Sequence, residues 1–217
     1  MNNNTIISSF LAQIKGLKPL KQEVIYNPKK WNSLENNFKL LIKKHENVSV
    51  SRSGIIKSYE EYYLSKANYL KPFLLTMIWG FGNIGYGNHR TNNFLNDKYN
   101  LNLIKTSLDA VKDNKVEKAF NELMRIKGLG ISYVSKVLYF ASKGARLKEH
   151  CLIFDIRVAE SLVKLSTLNS IFEIIKVYPS NKFRDYEKYN QLIHQLAKAY
   201  SLDADAIELF LFNQEFD

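Results

Sequence analysis

Residues 118–142 read KAFNELMRIKGLGISYVSKVLYFAS, and no other stretch restricts the fold so strongly. Ala119, Phe120, Leu123 and Ile126 form one apolar stripe at helical spacing, and Val134, Val137, Leu138 and Ala141 form a second. Between them Lys127-Gly128-Leu129-Gly130 leaves four residues in which to reverse the chain. Two glycines permit positive φ there, so the turn is tight and Leu129 can plug the gap between the helices. Gly130 opens the second helix with unsatisfied N–H groups, and the helix dipole adds to their pull on an anion. With no Cβ at Gly128 or Gly130, a phosphodiester can approach the backbone closely. Lys127, Gly128, Gly130 and Ser132 are therefore the candidate contacts to nucleic acid. A plain helical hairpin with a glycine turn would carry the same pattern.

The remaining chain is also helical in period. Four prolines, nine glycines and long 3.6-residue repeats leave little room for sheet, which predicts an all-α fold. Helices are expected at about 4–15, 28–46, 54–64, 66–80, 90–97, 102–113, 115–126, 131–142, 156–165, 168–177, 185–200 and 203–214. No internal repeat or low-complexity linker divides the sequence. Its length suits one domain, or two lobes sharing a core.

Glycine clusters a second time, at Gly80, Gly82, Gly85 and Gly87, in the run Trp79-Gly-Phe81-Gly-Asn83-Ile-Gly-Tyr86-Gly-Asn88-His89-Arg90. Alternating glycines argue against regular helix. No strand precedes them, which argues against a Rossmann or Walker nucleotide loop. Trp79, Phe81 and Tyr86 offer flat surfaces for stacking a base, and Asn83 and Asn88 offer donor–acceptor pairs. Arg90 offers a cation for a phosphate or a plug for a gap in a duplex. The alternative is a buried aromatic turn between two helices.

Charge narrows the partner. Thirty-one Lys and Arg against twenty-one Asp and Glu give +10 and an isoelectric point near 9.4. A surplus spread along the chain suggests a polyanion, nucleic acid before a membrane surface. The one cysteine, Cys151, excludes a disulfide framework, a four-thiolate iron–sulfur cluster and a zinc ribbon. The four histidines form no metal-binding pair, so no metal is expected. No apolar run is long enough to span a membrane, and the N-terminus carries no secretion signal, so a soluble, cytoplasmic protein is expected; a monomer is expected as well.

After the hairpin comes Leu152-Ile-Phe-Asp155-Ile-Arg157-Val158-Ala-Glu-Ser-Leu162. Asp155 opens a helix with apolar positions Val158, Leu162 and Leu165, and reads on its own as an N-cap. A glycine hairpin followed by an apolar triplet, an Asp and such a helix resembles the helix-hairpin-helix base-excision DNA glycosylases. Over residues 115–165 the resemblance rests on these motifs. The LYFA stretch and the closing Ala206-Ile-Glu-Leu-Phe-Leu-Phe are similar to the bacterial 8-oxoguanine glycosylase-like branch.

That resemblance implies a two-lobed DNA glycosylase that flips a damaged or modified base, an oxidised purine such as 8-oxoguanine first, out of double-stranded DNA. The hairpin lobe would span about 90–165, and residues 1–89 with 166–217 would form the second. Asp155 would be the essential carboxylate, set in the cleft between them. A monovalent cation on backbone carbonyls near 126–131 is implied as well. Two departures stand out. Gly130 and Asp155 are 25 positions apart, a longer interval than in the best-known members. Where members with lyase activity carry a lysine, two residues past the second glycine, this chain has Ser132, as the adenine-removing mismatch glycosylases do. Lys136 stands one turn on, offset by about 40° around the helix. Ser132, Lys136, Tyr139 and Lys143 would line one polar stripe. Lys136 reads either as a nucleophile able to form a Schiff base with the sugar or as a solvated cation near the DNA backbone. The rival from another class is a non-catalytic DNA-binding module. An RNA-binding protein has only the charge in its favour.

Overall fold

A computed structural model describes residues 6–84, 86–165 and 179–214. Among them are eleven α-helices and a two-stranded sheet, so the fold is all-α as expected. A 3₁₀ turn at Ile6–Phe10 leads into α1 (Leu11–Gly16). Then follow β1 (Glu23–Ile25), α2 (Asn36–Ile42), β2 (Ser49–Ser51), α3 (Arg52–Tyr63), α4 (Leu70–Phe81) and α5 (Gly87–Leu95). The chain continues through α6 (Lys98–Lys112), α7 (Val116–Met124), α8 (Ile131–Gly144), α9 (Ile156–Lys164), α10 (Phe183–Tyr200) and α11 (Ala204–Asn213). The helix expected at 168–177 lies outside the described residues.

The described chain divides into two compact units. One runs from Leu20 to Cys151, and the other joins the residues up to Pro19 to those from Leu152 onward. The lobe boundaries read from the sequence, near 90 and 165, differ from this division. The reason is α4, which is buried at Leu70, at every position from Pro72 to Trp79, and at Phe81. A helix apolar nearly all round has to be surrounded, and α4 packs with α3 and α8 in the first unit.

Within that unit α8 is central, with α3, α4, α6 and α7 all against it. Leu138, Val137, Phe140 and Tyr139 are fully buried, each apolar side chain worth roughly 1.5–3 kcal/mol of burial. This corrects the polar stripe expected on α8. Tyr139 is closed in by Phe140 and by the Arg52 guanidinium, 5.1 Å from its ring. Only Ser132 and Lys143 of that stripe stay half-exposed.

The segment expected as one helix over 28–46 is instead turns, α2 and a short 3₁₀ turn at Lys43–His45. Trp31 explains the break. It is 1% exposed, donates its indole N–H to the Gly82 carbonyl at 3.2 Å, and meets Tyr26 and Phe81 edge-on. The turns sink it, and the flanking β1 and β2 pair antiparallel with Val24 opposite Val50. In the other unit α11 packs on α9, α10 and α1, with Phe10 and Phe210 rings 5.1 Å apart.

Candidate functional site

The hairpin is α7, the turn and α8. Gly128 has φ +89°, a left-handed conformation that glycine adopts at little cost, and Leu129 beneath it is 2% exposed. Lys127, Gly128 and Gly130 are exposed at the tip. Gly130 is the N-cap of α8 in extended backbone, and a Cβ built there would meet no atom within 4 Å. The N-terminus of a fourteen-residue helix is thus open to an anion on the side where a side chain would stand.

Lys136 is 5% exposed, so it is not a solvated surface cation. Its Nζ donates to the Ser132 hydroxyl at 2.8 Å and to the Ser132 carbonyl at 3.2 Å. It also lies 5.4 Å from the centre of the Tyr133 ring. Gly80 makes the room. A Cβ there would stand 3.1 Å from Lys136 Cδ and 3.2 Å from Tyr133 Cε1.

Gly80 is a helical residue of α4, which runs on to Phe81, and Gly87 starts α5, so helix takes in both ends of the glycine-rich run. A Cβ on Gly87 would fall 2.6 Å from Phe81 Cβ. Both glycines exist for close packing, not for a turn. Gly82 ends α4 with a positive φ of +55°, which glycine adopts without a Cβ penalty.

The six proposed base-contacting residues part company here. Trp79 is 7% exposed, packed edge-on against Phe140 with the Arg52 guanidinium 5.0 Å from its ring. Phe81 is 3% exposed and stacked on Tyr133 at 4.1 Å. Asn88 is buried, its side chain donating to Asn32 at 3.3 Å and accepting from the His89 N–H at 2.6 Å. Arg90 donates to the Gly128 carbonyl and lies over Phe81 and Tyr133, so its guanidinium ties α5 to the hairpin turn. Asn83 and Tyr86 are exposed, Tyr86 at 77%. The buried aromatic turn thus describes Trp79, Phe81 and Asn88, and an open surface remains only at Asn83 and Tyr86.

Of the hairpin carbonyls, that of Ile126 accepts the Leu129 N–H, that of Gly130 accepts from Tyr133 and Val134, and that of Gly128 takes the Arg90 guanidinium. Among the described residues no group of three His, Cys, Asp or Glu side chains can hold a metal, and no helix is long and apolar enough to cross a membrane.

Asp155 belongs to the other unit and is 7% exposed. It is the N-cap of α9, its Oδ1 accepting from the Arg157 N–H at 3.1 Å and the Val158 N–H at 3.3 Å. The three residues before it lie outside any helix or strand and are buried, and α10 supplies partners for their backbone. Asn190 accepts the Leu152 N–H at 2.8 Å, Tyr186 donates to the Leu152 carbonyl at 2.8 Å, and Tyr189 donates to the Ile153 carbonyl at 2.7 Å. Sequence reasoning missed these three, together with Arg52 and Gly80. Their one legible signal is the i, i+3, i+4 spacing of Tyr186, Tyr189 and Asn190 on a single helix face.

An all-helical chain with a glycine-turned hairpin, a lysine buried on it and a carboxylate capping a later helix is the class of protein these elements define. The chain belongs to the family described as putative 8-oxoguanine DNA glycosylase OGG-like proteins, whose model matches residues 17–212. Comparison with curated proteins and with solved structures finds no match.

Proposed function

We propose that the protein excises a modified base, an oxidised purine such as 8-oxoguanine first, from double-stranded DNA by flipping it out of the duplex. The observation that carries the reading is the 2.8 Å hydrogen bond between Lys136 Nζ and Ser132 Oγ. It brings an amine to the α8 position where lyase-active glycosylases carry their lysine. Lys136 is then the nucleophile. Its neutral amine attacks the sugar C1′, and the C1′–base bond breaks, its electron pair leaving with the base, which takes up a proton. The sugar ring opens to a Schiff base as the ring oxygen is protonated, and loss of a C2′ proton expels the 3′ phosphate. Asp155 is the carboxylate that stabilises positive charge developing on the sugar.

In this reading the hairpin tip, Lys127 to Gly130 with Ser132, holds a phosphate on open amides, as a helix-hairpin-helix element does. Tyr86 and Asn83 are the exposed groups left to meet bases. Arg90, Trp79, Phe81 and Asn88 hold the elements that present them. The basic surplus supplies the affinity for phosphates that does not depend on sequence.

One observation favours a second reading, a non-catalytic DNA-binding module. Asp155 Oδ1 is engaged by two backbone amides, as a cap alone would be. A panel of duplexes, each with one 8-oxoguanine, alkylated base, adenine mispair or other modified base, separates the two. Release of free base from one member is expected. Tight binding to duplexes with no base released from any of them would establish the binding module.

A further inference from the structure

We propose that Tyr186, Tyr189 and Asn190 are positioning residues for Asp155, a clamp from α10 that replaces the neighbouring strand its lead-in segment lacks. The inference rests on reading Asp155 as the carboxylate of excision. Leu152, Ile153 and Phe154 lie outside any helix or strand and are 0%, 1% and 9% exposed. Buried backbone polar groups need partners, and a segment outside helix and sheet has no ladder of its own to supply them. No strand lies beside this segment, since the only ladder among the described residues pairs β1 with β2.

Side chains stand in for the ladder. Leu152 is held at both its polar groups, its N–H by Asn190 and its carbonyl by Tyr186. Ile153 is held at its carbonyl by Tyr189. The Tyr189 ring then stacks on Phe154, centroids 4.4 Å apart and 15° from parallel. The next residue is Asp155, fixed by its own bonds to the first turn of α9. Each of the four residues from Leu152 to Asp155 therefore carries at least one directed interaction, and three of the four are held from one turn of α10.

Tyrosine suits this work. A phenol has few rotamers, and here Tyr186 is 0% and Tyr189 4% exposed, so each hydroxyl is delivered by a ring already locked in the core. Misplacing a reacting group by about 1 Å costs on the order of 100-fold in rate. Loss of one clamp bond leaves a buried carbonyl or amide that the segment must shift to satisfy.

The test uses the full chain and single-turnover excision of 8-oxoguanine from a duplex. Tyr189→Phe keeps the ring and removes only the hydroxyl. Its excision rate is expected to fall about 10- to 100-fold, with duplex affinity within about twofold. In an Asp155→Asn background the same change is expected to leave the residual rate unaltered, because a residue acting through Asp155 has nothing left to position. Asn190→Leu should slow excision likewise, and Asn190→Asp, which keeps the acceptor for Leu152, should restore it. Equal losses from Tyr189→Phe with and without the Asp155 carboxylate would overturn the proposal, as would a wild-type rate. A wild type that releases no base refutes the glycosylase reading alone. The clamp is then judged by amide exchange at Arg157 and Val158, the donors to Asp155. Tyr189→Phe is expected to speed that exchange about tenfold or more, and unchanged exchange would refute the clamp.

Discussion

Lys136 places its Nζ 2.8 Å from the hydroxyl oxygen of Ser132, one helical turn earlier on α8. The side chain lies back along the helix toward its N-terminus, the direction in which helical side chains lean. In the proposed reading Lys136 supplies the amine that position 132 lacks, with Ser132 as its hydrogen-bond partner.

Lysine chemistry has a direct signature. Borohydride is expected to trap a covalent adduct between the wild-type protein and lesion-bearing DNA. Lys136→Gln should lose both adduct and strand cleavage by several orders of magnitude. An excising wild type that never traps would make water the nucleophile and Ser132 the residue to follow.

Gly80→Ala tests the seat of that lysine. The added methyl gains up to about 1 kcal/mol of helix propensity, and crowding of Lys136 and Tyr133 offsets it, so stability should change by less than about 1 kcal/mol. Adduct yield should nonetheless fall about tenfold, since the Lys136 stem must move from Cδ outward. A variant of unchanged stability that traps as well as wild type would show that Gly80 does not set the position of the amine.

Gly130→Val asks whether the hairpin tip holds phosphate. A Cβ there meets no atom within 4 Å, so the fold should persist, while the valine branches beyond it stand where the anion approaches. Affinity for duplexes of any sequence should drop about tenfold or more, or about 1.4 kcal/mol. The slope of log affinity against log salt should flatten by about 0.9 for each phosphate that the tip ceases to neutralise. Binding and salt slope equal to those of wild type would remove the tip from the DNA interface.

Stability should decline in alkali. Burial pushes the Tyr59 hydroxyl far above the usual tyrosine range, and burial with the hydrogen bond to Asp109 does the same at Tyr62. Because the folded values are raised, this stabilisation is complete below the unfolded value of about 10. It is lost as pH rises beyond that value, at about 1.4 kcal/mol per pH unit for each tyrosine. Urea unfolding between pH 8 and 11 should show the fall, and Tyr59→Phe should reduce its steepness. A flat profile to pH 11 would contradict it.

The hairpin was legible because its signals are local. Two apolar stripes, a four-residue turn and a capping Asp lie within a few positions of the elements they set, and α9 begins at Ile156 as the Asp155 cap indicates. What could not be read depends on distant partners. Gly80 and Gly87 look like turn residues until Tyr133, Lys136 and Phe81 are seen against them. Trp79 and Phe81 look like a stacking platform until Phe140 and Tyr133 take up their rings. Tyr189 stands 36 positions from the carbonyl it holds, and no periodicity links the two. The polar stripe on α8 failed for the same reason, because four neighbouring helices cover it.

The most direct test of excision by this chain is single-turnover release of 8-oxoguanine by Asp155→Asn beside wild type. Asparagine keeps an oxygen able to accept from the Arg157 and Val158 amides, so folding and duplex affinity should stay within about twofold of wild type. Excision should fall by several orders of magnitude, because the charge facing the developing sugar cation is gone. Excision by Asp155→Asn at the wild-type rate would reduce Asp155 to a helix cap and contradict its role as the carboxylate of excision.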